Sequence, residues 1–138
     1  MQEDAVLDAL RSVFAEPGYR RTMGFRIGRG EGREAVLECE VVRDYANTRG
    51  VAHGGLISGL IDTAAGIAVK LEMGDPELPV ATVSLTINYH RPGRVGAILR
   101  AVGRQVSGRG TPCCSVEVHD DDGVLVATGV APLRVASR

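Results

Sequence analysis

The sequence predicts an α+β fold in which one long buried helix packs against a curved antiparallel sheet. The first observation is a helical pattern at residues 54–71 (GGLISGLIDTAAGIAVKL) that is apolar over most of its circumference. The second is a set of strand-like runs on both sides of it, two before and four after. The third is that short connections join the last four runs, which favours antiparallel pairing over repeated βαβ units.

A short leading helix is expected first. Apolar residues recur at helical spacing between Asp4 and Glu16, and Pro17-Gly18 ends the pattern. Strand-like segments follow at about 20–28 and 34–42, and residues 43–53 (RDYANTRGVAH) form a polar, irregular loop into the long helix. After that helix come runs at 79–90, 96–106, 113–120 and 124–134, and Asp122-Gly123 predicts a tight hairpin before the last.

Composition indicates one domain, residues 1–138, with an ordinary soluble character. The net charge of −1 and charged content of 24% show no basic excess that would suggest nucleic acid, so a small ligand or a partner subunit is expected. No signal peptide or membrane-spanning segment is recognised, and the three cysteines do not have the spacing of a disulfide framework. A reducing cytosol is therefore the expected location. The scattered histidines (53, 90 and 119) predict no metal site, and no cofactor motif is present.

Asp62 is the only ionisable residue between Gly54 and Val69 on the long helix. An unpaired buried carboxylate is costly, so such a group usually has a partner or a purpose. Residues one turn away from it are all small, which leaves room beside the carboxylate; they are Ser58, Gly59, Ala65 and Gly66. Either Asp62 meets a ligand there, or it bonds locally and the glycines permit close packing; the helix pattern does not decide between these.

The loop that leads into the helix has residues suited to binding an oxyanion. Asn47, His53, Gly54 and Gly55 lie before or at the helix start, where backbone N–H groups lack intrahelical acceptors. A glycine lets a substrate carbonyl approach the backbone closely, and a nearby His or Asn can hold the loop or donate to the same oxygen. His-Gly-Gly is also compatible with a merely flexible entry to a helix.

Gly54 and Asp62 are too far apart in one chain to act on one carbonyl. Eight residues of helix separate them, a rise of about 12 Å. If both act on the same group, they come from different subunits, as antiparallel helices side by side allow. The sequence thus predicts an obligate dimer with shared sites.

Asn47, His53-Gly54-Gly55, and Asp62 nine residues after the histidine together form a recognisable pattern. With the strand that ends in residues 88–93 (NYHRPG), it resembles the hotdog-fold acyl-CoA thioesterases of the phenylacetate-degradation type, relatives of the 4-hydroxybenzoyl-CoA thioesterases. The resemblance covers about residues 35–134. It implies a hotdog fold, hydrolysis of an aryl- or medium-chain acyl-CoA without a cofactor, and a homotetramer built from two dimers.

By position, the resemblance implies that Asp62 is the nucleophile or the general base that activates water. It implies that the Gly54 N–H polarises the thioester carbonyl, with Asn47 and His53 of the partner chain orienting the thioester. Thr82 matches a position where a hydroxyl holds the attacking water, although threonine is also an ordinary strand residue.

The resemblance further implies a CoA groove at the outer edge of the subunit interface. Its expected contributors are Gly55, Tyr89, Arg91, Arg94, Arg109, Gly110 and Thr111. Arginines and free N–H groups suit phosphates, although solvated loop arginines are an equal alternative. Two other functions remain open: a hotdog-fold dehydratase or hydratase acting on acyl thioesters, and a non-catalytic acyl-CoA-binding module.

Overall fold

The computed structural model describes residues 2–108 and 110–136. Its helices are α1 (Glu3–Phe14), the single turn α2 (Tyr19–Thr22) and the long α3 (Gly54–Met73), with a 3₁₀ turn at Arg43–Tyr45. Its strands are β1 (Arg26–Ile27), β2 (Ala35–Glu40), β3 (Val80–Thr82), β4 (Thr86–Tyr89), β5 (Ile98–Ser107), β6 (Cys113–His119) and β7 (Leu125–Val135).

The strands form one antiparallel sheet in the order β1-β2-β5-β6-β7-β3, and β4 also pairs with β7. The α+β prediction is confirmed, as is the Asp122-Gly123 hairpin between β6 and β7. In that turn Asp120 Oδ1 accepts the N–H groups of Asp122 and Val124, at 3.0 and 2.9 Å. Gly123 takes the left-handed conformation, with φ of 80°, that such a turn needs.

Helix α3 lies at the centre of the molecule, against β2, β5 and β6. By length and composition it could cross a membrane. Half of its residues are buried in the core; they are Leu56, Ile57, Leu60, Ile61, Ala64, Ala65, Ile67, Ala68, Val69 and Leu71. The sheet and α1 cover this apolar surface, so α3 is the core helix of the fold.

The strand predicted at residues 20–28 is mostly wrong. Residues 19–22 form one helical turn, and the strand that pairs with β2 is reduced to Arg26 and Ile27, followed by a bond from the Gly28 N–H to the Val36 carbonyl at 2.9 Å. The reason lies in Gly24, whose left-handed φ of 71° closes the turn as a helix C-terminus does. The N–H of Phe25 then bonds back to the Arg20 carbonyl at 3.0 Å, which leaves two residues for the ladder.

The run predicted at residues 79–90 is two strands, interrupted at residues 83–85. Thr82 pairs with Leu133 while Thr86 pairs with Val130, so the register shifts by one residue between them. Pro132 lies opposite the break. It has no N–H to donate to the ladder, although its carbonyl accepts the Val83 N–H at 2.9 Å.

Candidate active site

His53 is the N-terminal cap of α3. Its Nδ1 accepts the Gly55 N–H at 2.7 Å, so the neutral ring carries its proton on Nε2. Its carbonyl accepts the N–H groups of Leu56 and Ile57, at 2.9 and 3.4 Å. Gly55 has no room for a side chain, because a Cβ there would lie 2.8 Å from His53 Nδ1. The His-Gly-Gly sequence is therefore a built helix cap and not a flexible entry.

The N–H of Gly54 is left open at this helix start. The neighbouring donors of the first turn all have acceptors, whereas within residues 2–108 and 110–136 no acceptor takes the Gly54 N–H. The Gly54 carbonyl, which belongs to the next peptide unit, accepts the Tyr89 hydroxyl at 3.1 Å and holds the first turn of the helix. A free N–H at the positive end of a 20-residue helix suits a developing oxyanion.

Asn47 shapes the loop before the helix. Its side-chain oxygen accepts the N–H groups of Arg49 and Val51 at 2.9 and 3.3 Å, and its own N–H bonds to the Val51 carbonyl at 2.8 Å. These bonds hold a compact turn. They occupy the amide oxygen and leave the side-chain NH₂ as the donor that a ligand can use.

A cavity of about 700 Å³ lies at this end of the helix. We call it the entry cavity; the predicted site residues that line it are Asn47, Gly54, Gly55, Tyr89 and Arg91. His90 also borders it, and its Nε2 lies 2.9 Å from the Thr128 hydroxyl. The entry cavity thus brings together the oxyanion candidate, an amide donor and a cation.

Asp62 lies on α3 outside the entry cavity and is partly buried. The hydroxyl of Thr82, on β3, donates to its Oδ1 at 2.5 Å. This bond orients the carboxylate and leaves Oδ2 available. Asp62 and Thr82 together line two further cavities, one toward the N-terminal end of α3 and one toward its C-terminal end.

Tyr19 is a residue of this region that the sequence did not indicate. With Asp62 it lines the cavity on the N-terminal side of that carboxylate, which is separate from the entry cavity. Its ring packs edge-on against Phe25, with centroids 5.6 Å apart. The pKa of Tyr19 is raised, first by burial and then by the negative charges of Cys39 and Asp62. Gly59 makes this possible, since a Cβ at that position would overlap the Tyr19 hydroxyl. The one feature of the sequence that could have indicated the position of Tyr19 is the glycine at residue 59, which leaves space beside the helix.

Three other predicted CoA contacts, Arg94, Gly110 and Thr111, lie outside the lining of the entry cavity. Arg94 is exposed, and its backbone forms an isolated bridge with Val51 at the edge of the loop. Gly110 and Thr111 are exposed in the turn between β5 and β6. Arg109 lies outside the described residues.

Comparison with known proteins gives a consistent result. Residues 49–127, more than half of the chain, match the family model of the thioesterase superfamily. A medium/long-chain acyl-CoA thioesterase of Salmonella typhimurium, YigI, is 25% identical over 133 residues, covering 85% of this chain and 84% of the relative.

Two solved structures agree with the fold. The PaaI protein of the Escherichia coli phenylacetic acid degradation operon superposes with a TM-score of 0.87 at 20% identity, covering 99% of this chain and 97% of that one. The smu.793 protein of Streptococcus mutans, solved with acetyl CoA bound, has a TM-score of 0.72 at 28% identity, covering 83% of this chain and 90% of that one.

These matches confirm the predicted hotdog fold and the resemblance to phenylacetate-degradation thioesterases. The long helix inside a curled antiparallel sheet is the architecture that the matched proteins share. The chain belongs to the thioesterase superfamily, and its chemistry is the hydrolysis of a thioester.

Proposed function

We propose that this protein hydrolyses an aryl- or medium-chain acyl-CoA to the free acid and CoA, with Asp62 as its catalytic carboxylate. The observation that carries the proposal is the bond from the Thr82 hydroxyl to Asp62 Oδ1. It presents an oriented carboxylate to cavities on both sides, on a helix with no other acid between Gly54 and Val69.

Hydrolysis requires an oxygen nucleophile that attacks the thioester carbonyl carbon. It also requires a hydrogen-bond donor for the negative charge that develops on the carbonyl oxygen. Asp62 Oδ2 either attacks the carbonyl carbon or takes a proton from the water that attacks it. The carbonyl oxygen becomes an oxyanion, the C–S bond breaks, and CoA leaves as the thiolate, which is then protonated. When water attacks, the free acid forms in this step. When Asp62 attacks, the step forms an anhydride between the acyl group and Asp62, and water then hydrolyses it to the free acid and the free carboxylate. Oδ1 stays bonded to Thr82 during either route.

The Gly54 N–H is the proposed donor to that oxyanion. It is unpaired among the described residues and lies at the positive end of α3. Because about 12 Å of helix separates Gly54 from Asp62, the donor and the carboxylate of one site belong to two subunits. Asn47, which lines the same cavity as Gly54, would orient the thioester from the partner chain.

CoA is the proposed thiol part of the substrate, held at the entry cavity. Arg91 borders that cavity with free N–H donors suited to phosphate. The relative from Salmonella is named an acyl-CoA thioesterase, and the Streptococcus mutans protein binds acetyl CoA in its structure. We extend the proposal to Arg94, Arg109, Gly110 and Thr111 as contacts at the outer rim.

The proposal is tested by release of free thiol from a panel of acyl-CoAs, with benzoyl-, phenylacetyl- and octanoyl-CoA as the first three. Asp62→Asn keeps the size of the side chain and removes the carboxylate, and we expect kcat to fall by about 10³-fold or more. Thermal unfolding checks that the variant folds. Equal turnover by the two proteins would contradict the role of Asp62, and hydration of crotonyl-CoA without thiol release would indicate a hydratase.

The sharing of sites between subunits has its own test. Gly54→Pro removes the N–H at the first helical position, where proline is well accepted, whereas Gly54→Ala keeps the N–H. The atoms nearest to a Cβ at residue 54 belong to Tyr89 and lie at 3.5 Å, an ordinary van der Waals contact, so the alanine control is sterically acceptable. We expect Gly54→Pro to be inactive and Gly54→Ala to retain turnover.

Inactive Gly54→Pro and Asp62→Asn chains are then refolded together. If sites are shared, each mixed dimer regains one intact site, and about a quarter of wild-type activity returns for random pairing. A mixture that stays inactive would place both groups of a site in one chain. Light scattering gives the assembly size, for which we propose a dimer of dimers.

A reducing cytosol is the proposed location, which the three free cysteines support.

A further inference from the structure

The cavity on the C-terminal side of Asp62 forms a pocket along α3. We call it the distal pocket; its helix side consists of Asp62, Thr63, Gly66, Ile67 and Lys70. This spacing places the five residues along one face of the helix. The pocket has a volume of about 200 Å³ and begins at the carboxylate proposed to act on the thioester.

The other walls of the distal pocket are mostly apolar. Leu10, Val13 and Phe14 of α1 face it, together with Val80 of β3. Gly66 adds no side chain, and a Cβ there would lie 3.7 Å from Val80. Such walls suit the hydrocarbon part of an acyl group.

Two cations also line this pocket, Arg20 from α2 and Lys70 from α3. Neither forms an ion pair in the part of the chain that the structure describes. The Nε atom of Arg20 is buried and has no hydrogen-bond partner. Its guanidinium carbon lies 5.3 Å from the centre of the Phe14 ring, a stacking contact that supports the group but uses none of its N–H donors.

Arg20 and Lys70 repel each other in this small space. Burial lowers the pKa of Lys70, and the positive charge of Arg20 lowers it further. Two like charges in a partly buried pocket are unfavourable unless an anion accompanies them. An anion between them would relieve the repulsion and could accept hydrogen bonds from the terminal Nη groups of Arg20.

The distance along α3 between Asp62 and Lys70 indicates which anion the distal pocket would hold. Lys70 is eight residues beyond Asp62, so about 12 Å of helix axis separates them. A lysine side chain leans back toward the helix N-terminus, which shortens the span between its ammonium group and Asp62. The thioester of the bound substrate lies at Asp62. An anionic group of the same substrate that reaches Arg20 and Lys70 must therefore be at the far end of the acyl chain, and that chain must be of medium length.

We propose that the acyl group of the substrate ends in a carboxylate, held by Arg20 and Lys70, so that the enzyme prefers ω-carboxyacyl-CoA thioesters of medium chain length. This inference rests on the proposed function, since it uses the position of Asp62 as the site of hydrolysis. The arginine supplies a pair of parallel donors to the carboxylate and the lysine a point charge.

The test compares suberyl-CoA with octanoyl-CoA, which have the same chain length and differ in the terminal carboxylate. For the wild type we expect kcat/KM to be at least tenfold higher for suberyl-CoA. In Lys70→Met the ratio of kcat/KM for suberyl-CoA to kcat/KM for octanoyl-CoA should fall at least tenfold. Lys70→Arg should preserve the preference, and Arg21→Gln, on the same turn as Arg20 but not lining the pocket, is the matched control.

Two outcomes overturn the inference while leaving the proposed function intact. One is a wild type that hydrolyses octanoyl-CoA as well as suberyl-CoA or better. The other is an unchanged preference in Lys70→Met. A wild type that releases no thiol from any acyl-CoA overturns the proposed function instead.

Binding then tests the pocket without turnover. The thioethers S-(7-carboxyheptyl)-CoA and S-octyl-CoA resist hydrolysis, and isothermal titration measures their affinities. We expect the carboxylate form to bind at least fivefold more tightly to the wild type, and this difference to disappear in Lys70→Met. Equal affinities for the wild type contradict the anion pocket whatever the result of the turnover assays.

Discussion

The hydroxyl of Thr82 donates a 2.5 Å hydrogen bond to Oδ1 of Asp62, and this bond joins β3 to the middle of α3. Thr82→Val keeps the shape of the side chain and removes the donor. A bond to a charged group contributes about 1.5–3 kcal/mol, so we expect kcat to fall roughly 10- to 100-fold. Thr82→Ser should retain most of the rate in the same thiol-release assay. A valine variant as fast as the serine variant would show that the bond does not orient the carboxylate.

His53 has a role in stability that is separable from substrate contact. His53→Ala removes the acceptor of the Gly55 N–H, and we expect the free energy of unfolding to fall by about 1 kcal/mol, as for the loss of other helix caps. His53→Asn supplies another capping oxygen and should recover most of that loss. Urea unfolding of the three proteins measures the difference. Equal destabilisation by alanine and asparagine would mean that loss of the hydrogen bond to the Gly55 N–H does not cause the lower free energy of unfolding.

Gly103, on β5, permits a close approach between the sheet and the backbone of α3. A Cβ at this position would lie 3.1 Å from the Ala64 carbonyl oxygen and 3.3 Å from its carbon. Since these are backbone atoms, the helix itself must shift, and we expect Gly103→Ala to destabilise the protein by about 1–3 kcal/mol. Gly110→Ala is the matched control, because a Cβ there meets nothing within 4 Å. The same loss in both variants in urea unfolding would exclude the contact with Ala64 as the cause.

The buried thiols of Cys39 and Cys114 make stability depend on alkaline pH. Burial raises the pKa of Cys39 to about 11 and that of Cys114 to about 12, from the ordinary value of 9.0. Above pH 9 these thiols therefore ionise in the unfolded chain before they do so in the folded one. The unfolded state then binds fewer protons, so the free energy of unfolding falls from about pH 9 toward pH 11.

Urea unfolding under reducing conditions at pH 7.5 and pH 10 measures this fall. Other groups titrate in the same range, so the comparison is with the double variant Cys39→Ala, Cys114→Ala. Its stability should decline less between the two pH values than that of the wild type. An identical decline would mean that the two thiols contribute nothing to it.

Much of the fold could be predicted because α3 has such a regular pattern. Its length, its apolar circumference and Asp62, the one ionisable residue between Gly54 and Val69, are all readable from local sequence, and so is the hairpin at Asp122-Gly123. The sequence also indicates the loop residues Asn47 and Gly54 as candidates, since the start of a helix has backbone N–H groups without intrahelical acceptors. Each of these signals depends on neighbours within one or two turns of the chain.

The features that the sequence did not predict depend on contacts between segments that are far apart in the chain. Tyr19 and Arg20 reach α3 because Gly24 closes one helical turn, and because Gly59 leaves a gap for the tyrosine ring. The pairing of Arg20 with Lys70 in one pocket joins positions 50 residues apart, and no local period marks it. The break opposite Pro132 likewise reflects a partner strand that the residues 79–90 do not reveal by themselves.

That break also affects how the sheet edge behaves toward other chains. In the described subunit, β3 and β4 each pair with β7 on one side only, and the segment between them carries Val83 with 55% of its surface exposed. An uninterrupted apolar edge of this kind would be a template for the addition of strands and for aggregation. The one-residue shift in register opposite Pro132 divides this edge into two short strands, Val80–Thr82 and Thr86–Tyr89, and short edge strands are poor templates for the addition of another chain.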